Sequence, residues 1–332
     1  MSDIKRRDFI ALCGGAAVGW PLTARAQQPE PMRRVGILMP YAENDPEYRT
    51  HVQALRDALR KSGWIEGGNI EFDEHWTTDN MDRIRTNAAA LVSAKPDVIV
   101  AIGGRVIPIL MQMSRTIPIV IPGVSDPVGL GLVESLARPG GNITGFTFIE
   151  LSVFGKMLEI LKEIAPRNVR AGMIYNPDNP NTIAFRRTFE ASAHELAIEP
   201  ITIPVHGFAD VERAVISLAD RQNTSMFVPP DITLQALRKE IVELVGRHGL
   251  IAIYPQIVYV KAGGLVFYGA DRVDLWRRSA DYVSRILRGE KASDLPFQQP
   301  TKYQLVLNLK TARALGVSIP LTLQAAADEV IE

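Results

Sequence analysis

Short apolar runs recur along the chain, and each is followed directly by proline, glycine or asparagine. Unbroken apolar runs of this kind are typical of strands that are buried on both faces, as in parallel sheets. The runs lie at residues 35–39, 98–102, 117–121, 171–175, 226–228, 251–254 and 265–268. They predict a fold that is rich in parallel β-structure.

The intervals between these runs show helical periodicity. Apolar residues spaced three and four positions apart share one face of a helix, which is then buried. The sets are Tyr48, Val52, Leu55 and Leu59; Met81, Ile84, Ala88 and Leu91; Leu234, Leu237, Ile241 and Leu244; and Val273, Trp276, Ala280, Val283 and Leu287. Alternation of strand and helix predicts an α/β protein with right-handed crossovers and doubly wound parallel sheets.

The predicted strands are too numerous for a single sheet. We therefore predict two doubly wound parallel-sheet lobes joined by a three-segment hinge. Residues 139–146 are rich in turn formers and mark a first passage between lobes. A second passage follows residues 265–269, where Asp271 is placed to cap a returning helix, and a third is the proline-interrupted stretch 295–303. The predicted lobes are residues 33–147 plus 271–296, and residues 148–270 plus 297–332.

The first 26 residues have the features of an export signal. Arg6 and Arg7 precede an apolar run, residues 9–22, that is too short to span a bilayer. The run is followed by Ala24-Arg25-Ala26, the small-x-small pattern that signal peptidase accepts. The order Arg-Arg-x-Phe-Ile resembles a twin-arginine signal. We therefore expect a periplasmic mature protein without stable membrane insertion; the alternative is a basic N-terminal helix of a cytosolic protein.

Charge and cysteine content narrow the functional classes. The 332 residues include 37 Lys plus Arg and 37 Asp plus Glu, so the net charge is zero. Nucleic-acid binders usually carry a basic surplus, so DNA or RNA is not an expected partner. Cys13, the single cysteine, lies in the predicted signal, which leaves the mature chain without a disulfide or a cysteine metal site.

Familiar enzyme motifs are missing from the sequence. It has no phosphate-cradling Gly-x-x-x-x-Gly-Lys loop, and the surroundings of Ser125 do not fit a nucleophile elbow. The five histidines are scattered, and none pairs with another at metal-ligand spacing along one helix. We expect no catalytic residues, no metal and no cofactor.

Several phrases resemble one family, the exported ABC-transporter substrate-binding proteins that include tryptophan and other aromatic amino-acid binders. They are DPVG at 126–129, GLV at 131–133, SLARPGGNITG at 135–145, GGL at 263–265, YG at 268–269, DLP at 294–296, PTKY at 300–303, NLKTA at 308–312 and ADEV at 327–330. The resemblance runs from about Arg34 to the end. It implies a type I periplasmic-binding fold, a small-molecule ligand held between two lobes, and delivery to an ABC permease with its cytoplasmic ATPase.

In open α/β sheets, ligands bind beyond the carboxyl ends of the strands, and this rule selects loops in the first lobe. The residues are Tyr41, Gly103, Gly104, Arg105, Ser125 and Asp126. The two glycines would let a ligand approach the backbone, and Arg105 would grip a carboxylate. The alternative is an exposed arginine at a helix start. Members of the resembled family often carry a small hydroxyl residue in this loop, and Arg105 departs from that pattern. Asp126 is also placed to cap a helix that runs through Leu136.

The same rule selects Tyr175, Asn176, Asp231, Tyr254 and Tyr268 in the second lobe. Asp231 is the candidate partner for a ligand ammonium group, with helix capping as its alternative. Asn176 lies in a loop where turn formation alone would explain it. The tyrosines, including Tyr41, would pack an aromatic or apolar ligand, although boundary tyrosines are common at strand ends.

These observations favour a periplasmic solute receptor that closes over a small carboxylate-bearing molecule. An amino acid, with aromatic ones among the candidates, is the leading ligand, and an aromatic or other organic acid is second because of Arg105. One alternative is an exported sensor that passes its liganded state to a membrane signalling protein. Another is a two-domain exported enzyme.

Overall fold

Strands alternate with helices throughout the computed structural model, which describes residues 32–78, 80–179 and 181–332. The predicted export signal, residues 1–26, lies outside the described residues. The strands are β1 Arg33–Met39, β2 Ile70–Trp76, β3 Val98–Ala101, β4 Ile119–Val124, β5 Ile143–Thr147, β6 Arg170–Tyr175, β7 Glu199–Pro204, β8 Thr224–Phe227, β9 Ile251–Tyr254, β10 Val266–Ala270, β11 Tyr303–Asn308 and β12 Glu329–Ile331.

The helices lie between these strands and at the ends of the connections. They are α1 Pro46–Lys61, α2 Met81–Ser93, α3 Val106–Met113, α4 Val153–Ile164, α5 Thr182–Glu195, α6 Phe208–Ala219, α7 Ile232–Ala236, α8 Arg238–Arg247, α9 Ile257–Lys261, α10 Arg272–Leu287, α11 Leu309–Ala314 and α12 Leu321–Ala326, with a 3₁₀ turn at Ala292–Asp294. Tyr48, Val52, Leu55 and Leu59 are buried on α1, as the sequence pattern predicts.

The strands form two sheets, which confirms the prediction of two doubly wound lobes. The five-stranded sheet has the order β2-β1-β3-β4-β5, and all its pairings are parallel. The seven-stranded sheet has the order β12-β11-β10-β9-β8-β6-β7, in which β10 and β11 pair antiparallel. We call the first sheet with the helices packed on it the first lobe, and the second sheet with its helices the second lobe.

Several strands fall where the apolar pattern does not predict them. The stretch that we read as turn formers contains β5, because Gly145 supports strand pairing here. Its φ is +148°, and a Cβ at this position would lie 2.1 Å from the carbonyl oxygen of Ile121 on β4. Strands β2 and β7 are sheet edges and expose residues along their length, so they lack an unbroken apolar run.

Two predicted helices differ from those in the structure. The periodic stretch from Leu234 to Leu244 is divided at Leu237 into the separate helices α7 and α8. Residues 127–136 form turns rather than a helix. The Asp126 carboxylate still acts as a local cap, since its Oδ1 accepts a hydrogen bond of 2.8 Å from the amide of Gly129.

Within the described residues the chain passes between the two sheets at three places, after β5, after β10 and before β11. Asp271 caps α10 as predicted, with its Oδ1 accepting from the amide of Asp274 at 3.0 Å. Helix α10 then packs against α1 and the first sheet, where Leu275 and Trp276 join the core of the first lobe. The residue bounds of the two lobes stay a prediction.

Candidate functional site

A cavity of about 230 Å³ lies between the carboxyl-end loops of the two sheets. The first lobe contributes the loops after β1, β3 and β4, together with side chains of α1 and α10. The second lobe contributes the loops after β6, β8 and β9. This is the edge where ligands bind in open α/β sheets, so the cavity is the candidate site.

The first lobe lines the cavity with apolar side chains and exposed backbone, a surface that we call the apolar wall. Its members are Ile102, Gly103, Gly104, Ile107, Pro108, Ile121, Pro122, Gly123, Val124, Leu130, Leu132 and Phe148. Gly103 has a φ of +105°, and a Cβ there would lie 2.9 Å from Cγ of Pro40. Glycine is therefore required at this position, and its main chain can approach a ligand closely.

The second lobe lines the cavity with amides, hydroxyls and a carboxylate, a surface that we call the polar wall. Its members are Asn176, Asn179, Asn181, Asp231, Thr233, Gln235 and Gln256. Nδ2 of Asn179 donates to Oδ2 of Asp231 at 2.8 Å, and Nδ2 of Asn176 donates to Oγ1 of Thr233 at 3.2 Å. These bonds join the loops after β6 and β8, so the polar groups are held in place without a ligand.

Asp231 combines a structural contact with a position in the cavity lining. Its Oδ1 accepts a hydrogen bond of 2.9 Å from the amide of Leu234 and caps α7. The residue is 8% exposed, and burial raises its pKa above the ordinary value, while the bonds from Leu234 and Asn179 and the charge of Arg105 oppose that shift. A ligand cation beside this carboxylate would relieve the cost of its burial.

Four ring side chains on the first-lobe side form a contiguous aromatic row in the cavity lining: Tyr41, Tyr48, His51 and Trp276. Tyr41 stacks on Tyr48 with 3.4 Å between ring centroids, and Tyr48 and His51 make a T-shaped contact with 5.4 Å between ring centroids. His51 in turn stacks on Trp276 at 6.0 Å. The hydroxyl of Tyr48 donates to Oε1 of Gln235 at 2.9 Å, which links the row to the polar wall.

Several buried polar atoms in the lining have no hydrogen-bond partner among the described residues. They are Oγ of Ser125, Oδ1 of Asn181, Oε1 of Gln256 and both ring nitrogens of His51. Burial and the charge of Arg272 lower the pKa of His51 to about 3, so its ring is neutral at physiological pH. Unpaired buried polar atoms are rare in native proteins, and a polar ligand would satisfy these.

Seven of the residues predicted from the sequence line this cavity: Tyr41, Gly103, Gly104, Arg105, Ser125, Asn176 and Asp231. The structure brings them together from both lobes, as the strand-end rule requires. Their contact with a ligand stays a prediction.

The other predicted residues lie outside the cavity lining: Asp126, Tyr175, Tyr254 and Tyr268. Tyr254 is fully buried in the second lobe, where its ring stacks on Tyr259 at 4.9 Å. Tyr268 stacks on Tyr303 at 6.0 Å, and the guanidinium of Arg186 lies 6.0 Å from the ring of Tyr175. The three tyrosines are strand residues, and a side chain within a strand points to a face of the sheet, whereas ligands meet the loop beyond the end. Asp126 lies in the loop after β4, where its carboxylate accepts from the amide of Gly129.

The structure adds lining residues that the sequence did not indicate: Tyr48, His51, Gln235, Gln256, Arg272 and Trp276. The helical spacing of Tyr48 and Trp276 predicts that they pack in the core. In the structure they contact the core of the first lobe and also line the cavity. Arg272 lies two residues beyond β10, so the strand-end rule, carried slightly further, would have found it. Its guanidinium lies 4.7 Å from the ring of Phe148 and makes no ion pair with the described residues.

No group of three or more metal-ligating side chains is present in the described part of the chain. Among the same residues, no helix combines the length and the apolar character that a bilayer crossing requires.

Comparison with known proteins gives matches over nearly the whole described chain. The family model for "ABC transporter substrate binding protein" matches residues 36–331. A relative from Clostridioides difficile (strain R20291), named tyrosine-binding protein, is 26% identical over 287 residues, which are 86% of this chain and 81% of the relative.

Solved structures agree with this chain over the same span. A conserved domain protein from Vibrio cholerae is 28% identical with a TM-score of 0.83, and the match covers 90% of this chain and 99% of that one. An ABC domain from Streptococcus pneumonia in complex with L-Trp is 22% identical with a TM-score of 0.83, covering 90% and 100%. The second likeness shows a shared fold.

Proposed function

Because the chain belongs to the family of ABC transporter substrate-binding proteins and has the type I periplasmic-binding fold, we propose that it captures an amino acid for an ABC importer. An aromatic amino acid is the leading ligand. Proteins of this family bind a substrate and do not transform it. The cavity carries this proposal, since it combines a buried carboxylate, cationic side chains and an aromatic row in one small space.

The charged ends of an amino acid match charged groups that line the cavity from both lobes. Asp231 would bind the ammonium group, since its pKa is raised by burial and a neighbouring cation would stabilise the ionised form. The carboxylate would be bound by Arg105 or Arg272, with the unpartnered hydroxyl of Ser125 as a further donor.

The side chain of the ligand would lie against the aromatic row and the apolar wall. Stacked and edge-on ring contacts add to the free energy of burial, so a planar ring is favoured over an aliphatic chain. The relatives support this class of ligand, because one is named for tyrosine binding and another was solved with L-Trp.

Capture would proceed by a shift in the population of open and closed forms. A ligand that contacts both walls binds the closed form more tightly, and the three connections between the lobes would form the hinge. The closed form would present surfaces of both lobes to a membrane permease. Export to the periplasm through the predicted signal at residues 1–26 would place the protein beside that partner.

An organic acid is the second candidate ligand. Both Arg105 and Arg272 line the cavity, and two cations would suit a dicarboxylate or an aromatic acid without an amino group. This candidate predicts that Asp231 is dispensable for binding, whereas the amino-acid candidate requires it.

The test is a thermal-shift panel on the protein from Gln27 onward, freed of carried-over ligand by unfolding and refolding. The panel contains amino acids, aromatic acids and dicarboxylates at millimolar concentration. A ligand that binds only the folded state stabilises it by about 4 kcal/mol at a thousandfold excess over its Kd. We expect melting to shift with aromatic amino acids, and a panel without any shift would contradict both candidates.

A further inference from the structure

The aromatic row contains one histidine, His51, and its ring nitrogens are buried without a hydrogen-bond partner among the described residues. It is 1% exposed, makes a T-shaped contact with Tyr48 and stacks on Trp276. A histidine in a wall of rings interrupts the apolar surface at one point. The inference below rests on the proposed function, in which this row holds the ring of the ligand.

Both nitrogens of the His51 ring lack a hydrogen-bond partner among the described residues. Oε1 of Glu47 lies 3.5 Å from Nε2, which is longer than a normal hydrogen bond. A neutral imidazole carries one N–H donor and one acceptor nitrogen. The nearby carboxylate favours the proton on Nε2, and this tautomer leaves Nδ1 as a buried acceptor without a donor.

His51 lines two neighbouring cavities, and one of them is the candidate ligand site. A second cavity of about 260 Å³ adjoins the main one, and both are lined by Tyr48, His51, Gln235, Gln256 and Arg272. Glu47 lines only the second cavity. His51 therefore lies where the two cavities adjoin, and Glu47 lies on the side of the second one.

We infer that His51 is a specificity-determining residue that selects an aromatic ring carrying a hydrogen-bond donor, such as a phenol hydroxyl or a ring N–H. The donor would pair with the vacant acceptor nitrogen of the buried imidazole. An unsubstituted ring would fill the same space and leave that nitrogen unpaired. Loss of a hydrogen bond to a buried group reduces affinity by about tenfold or more.

The experiment compares ligands that differ by a single hydroxyl group. Calorimetry measures the Kd of L-tyrosine and L-phenylalanine for the wild-type protein and for His51→Leu, and then repeats the comparison with 4-hydroxyphenylacetate and phenylacetate. We expect the wild type to favour the hydroxylated member by about tenfold or more, and His51→Leu to bind both members within about twofold. His51→Gln, which keeps an acceptor, should retain part of the preference.

The matched control is His248→Leu, which changes an exposed histidine after α8 and should leave both affinities unchanged. Melting of ligand-free His51→Leu checks folding, and we expect it to equal or exceed the wild type because two unpaired nitrogens are removed. A merely structural role would weaken the two ligands equally, and that result would overturn the inference.

The remaining outcomes separate this inference from the proposed function. If the wild type binds both members of a pair equally, or if the preference survives in His51→Leu, His51 is not the selector while amino-acid capture stands. If neither amino acid binds but the acid pair shows the His51-dependent preference, the inference holds and the amino-acid proposal fails. If no member of either pair binds, the inference is wrong, and the thermal-shift panel decides whether another amino acid is captured.

Discussion

The two walls of the cavity are built on different physical principles. The apolar wall is made of aliphatic side chains and glycine backbone, and its members make van der Waals contacts. The polar wall is made of amides, a hydroxyl and a carboxylate, and several of these groups are already hydrogen-bonded to one another, as in the pairs Asn179–Asp231 and Asn176–Thr233. The apolar wall therefore offers surface for van der Waals contact, and the polar wall offers oriented hydrogen-bonding groups.

The difference shows how affinity and orientation are divided between the lobes. Burial of apolar ligand surface is non-directional and tolerates small changes in the wall. Polar groups that are held before binding cost little further ordering when the ligand arrives, so they set its orientation. We expect changes to the polar wall to alter binding more than changes of similar size to the apolar wall.

The largest expected effect comes from removing the charge of the polar wall. Asp231→Ala should weaken amino-acid binding by about a hundredfold or more. Truncation of one partner of a buried, hydrogen-bonded charge pair costs about 2–5 kcal/mol of binding free energy. Asp231→Asn keeps a cap for α7 and should weaken binding nearly as much. Calorimetry with the ligand found in the thermal panel measures both.

A control separates charge from helix capping. Oδ1 of Asn80 caps α2 by accepting from the amide of Arg83 at 2.9 Å, and Asn80 does not line the cavity. Asn80→Ala should cost about 1 kcal/mol of stability without changing affinity. Wild-type affinity in Asp231→Asn would show that the polar wall does not bind a cation.

A smaller effect is expected from cutting the link between the aromatic row and the polar wall. Tyr48→Phe removes the donor to Oε1 of Gln235 and leaves a buried amide oxygen unpaired, at a cost of about 2 kcal/mol. The hydroxyl of Tyr254 is buried without a partner in the described structure, so Tyr254→Phe is the matched control and should cost nothing. Urea unfolding of the two variants measures the difference, and equal stabilities would contradict the role of this link.

The smallest effect is the change in the free energy of unfolding over a single pH unit. His51 has a folded-state pKa of about 3 against an ordinary value of 6.5, so below pH 6.5 the unfolded chain binds a proton that the folded chain does not. The free energy of unfolding should therefore fall by about 1.4 kcal/mol per pH unit from 6.5 toward 3 on account of this group. Above pH 6.5 the group contributes no slope.

His51→Leu should remove that contribution, and urea unfolding at pH 6 and pH 5 compares its slope with the wild type. His248→Leu changes an exposed residue, so its slope should equal that of the wild type and differ from that of His51→Leu. Equal slopes in His51→Leu and the wild type would mean that His51 is protonated in the folded protein.

Much of the fold was predictable because central strands are buried on both faces. Val98–Ala101 is buried at every position, and its apolar run stands out in the sequence. Edge strands such as Ile70–Trp76 are partly exposed and carry charged residues, so their pattern resembles a loop. Gly145 was read as a turn former, although it is the residue that allows β5 to pair with β4.

The site was predictable only where it consists of strand-end loops. Gly103 lies two residues after the end of β3 and Asp231 four residues after the end of β8, and both line the cavity. Tyr48 and His51 lie on a helix face, and nothing in their spacing distinguishes a position that faces a cavity from one that faces the core. Tyr254 is the opposite case, because it ends a strand but is fully buried in the second lobe and does not line the cavity.

The sequence by itself determined the alternation of strands and helices, the passages between lobes and the loops at the carboxyl ends, because local periodicity and turn chemistry encode which face of each element is buried. Only the tertiary structure decided what covers those faces. Tyr48 and Gln235 are 187 positions apart in the chain and meet in one buried hydrogen bond. Such a contact depends on how two complete sheets pack, and no local pattern records it.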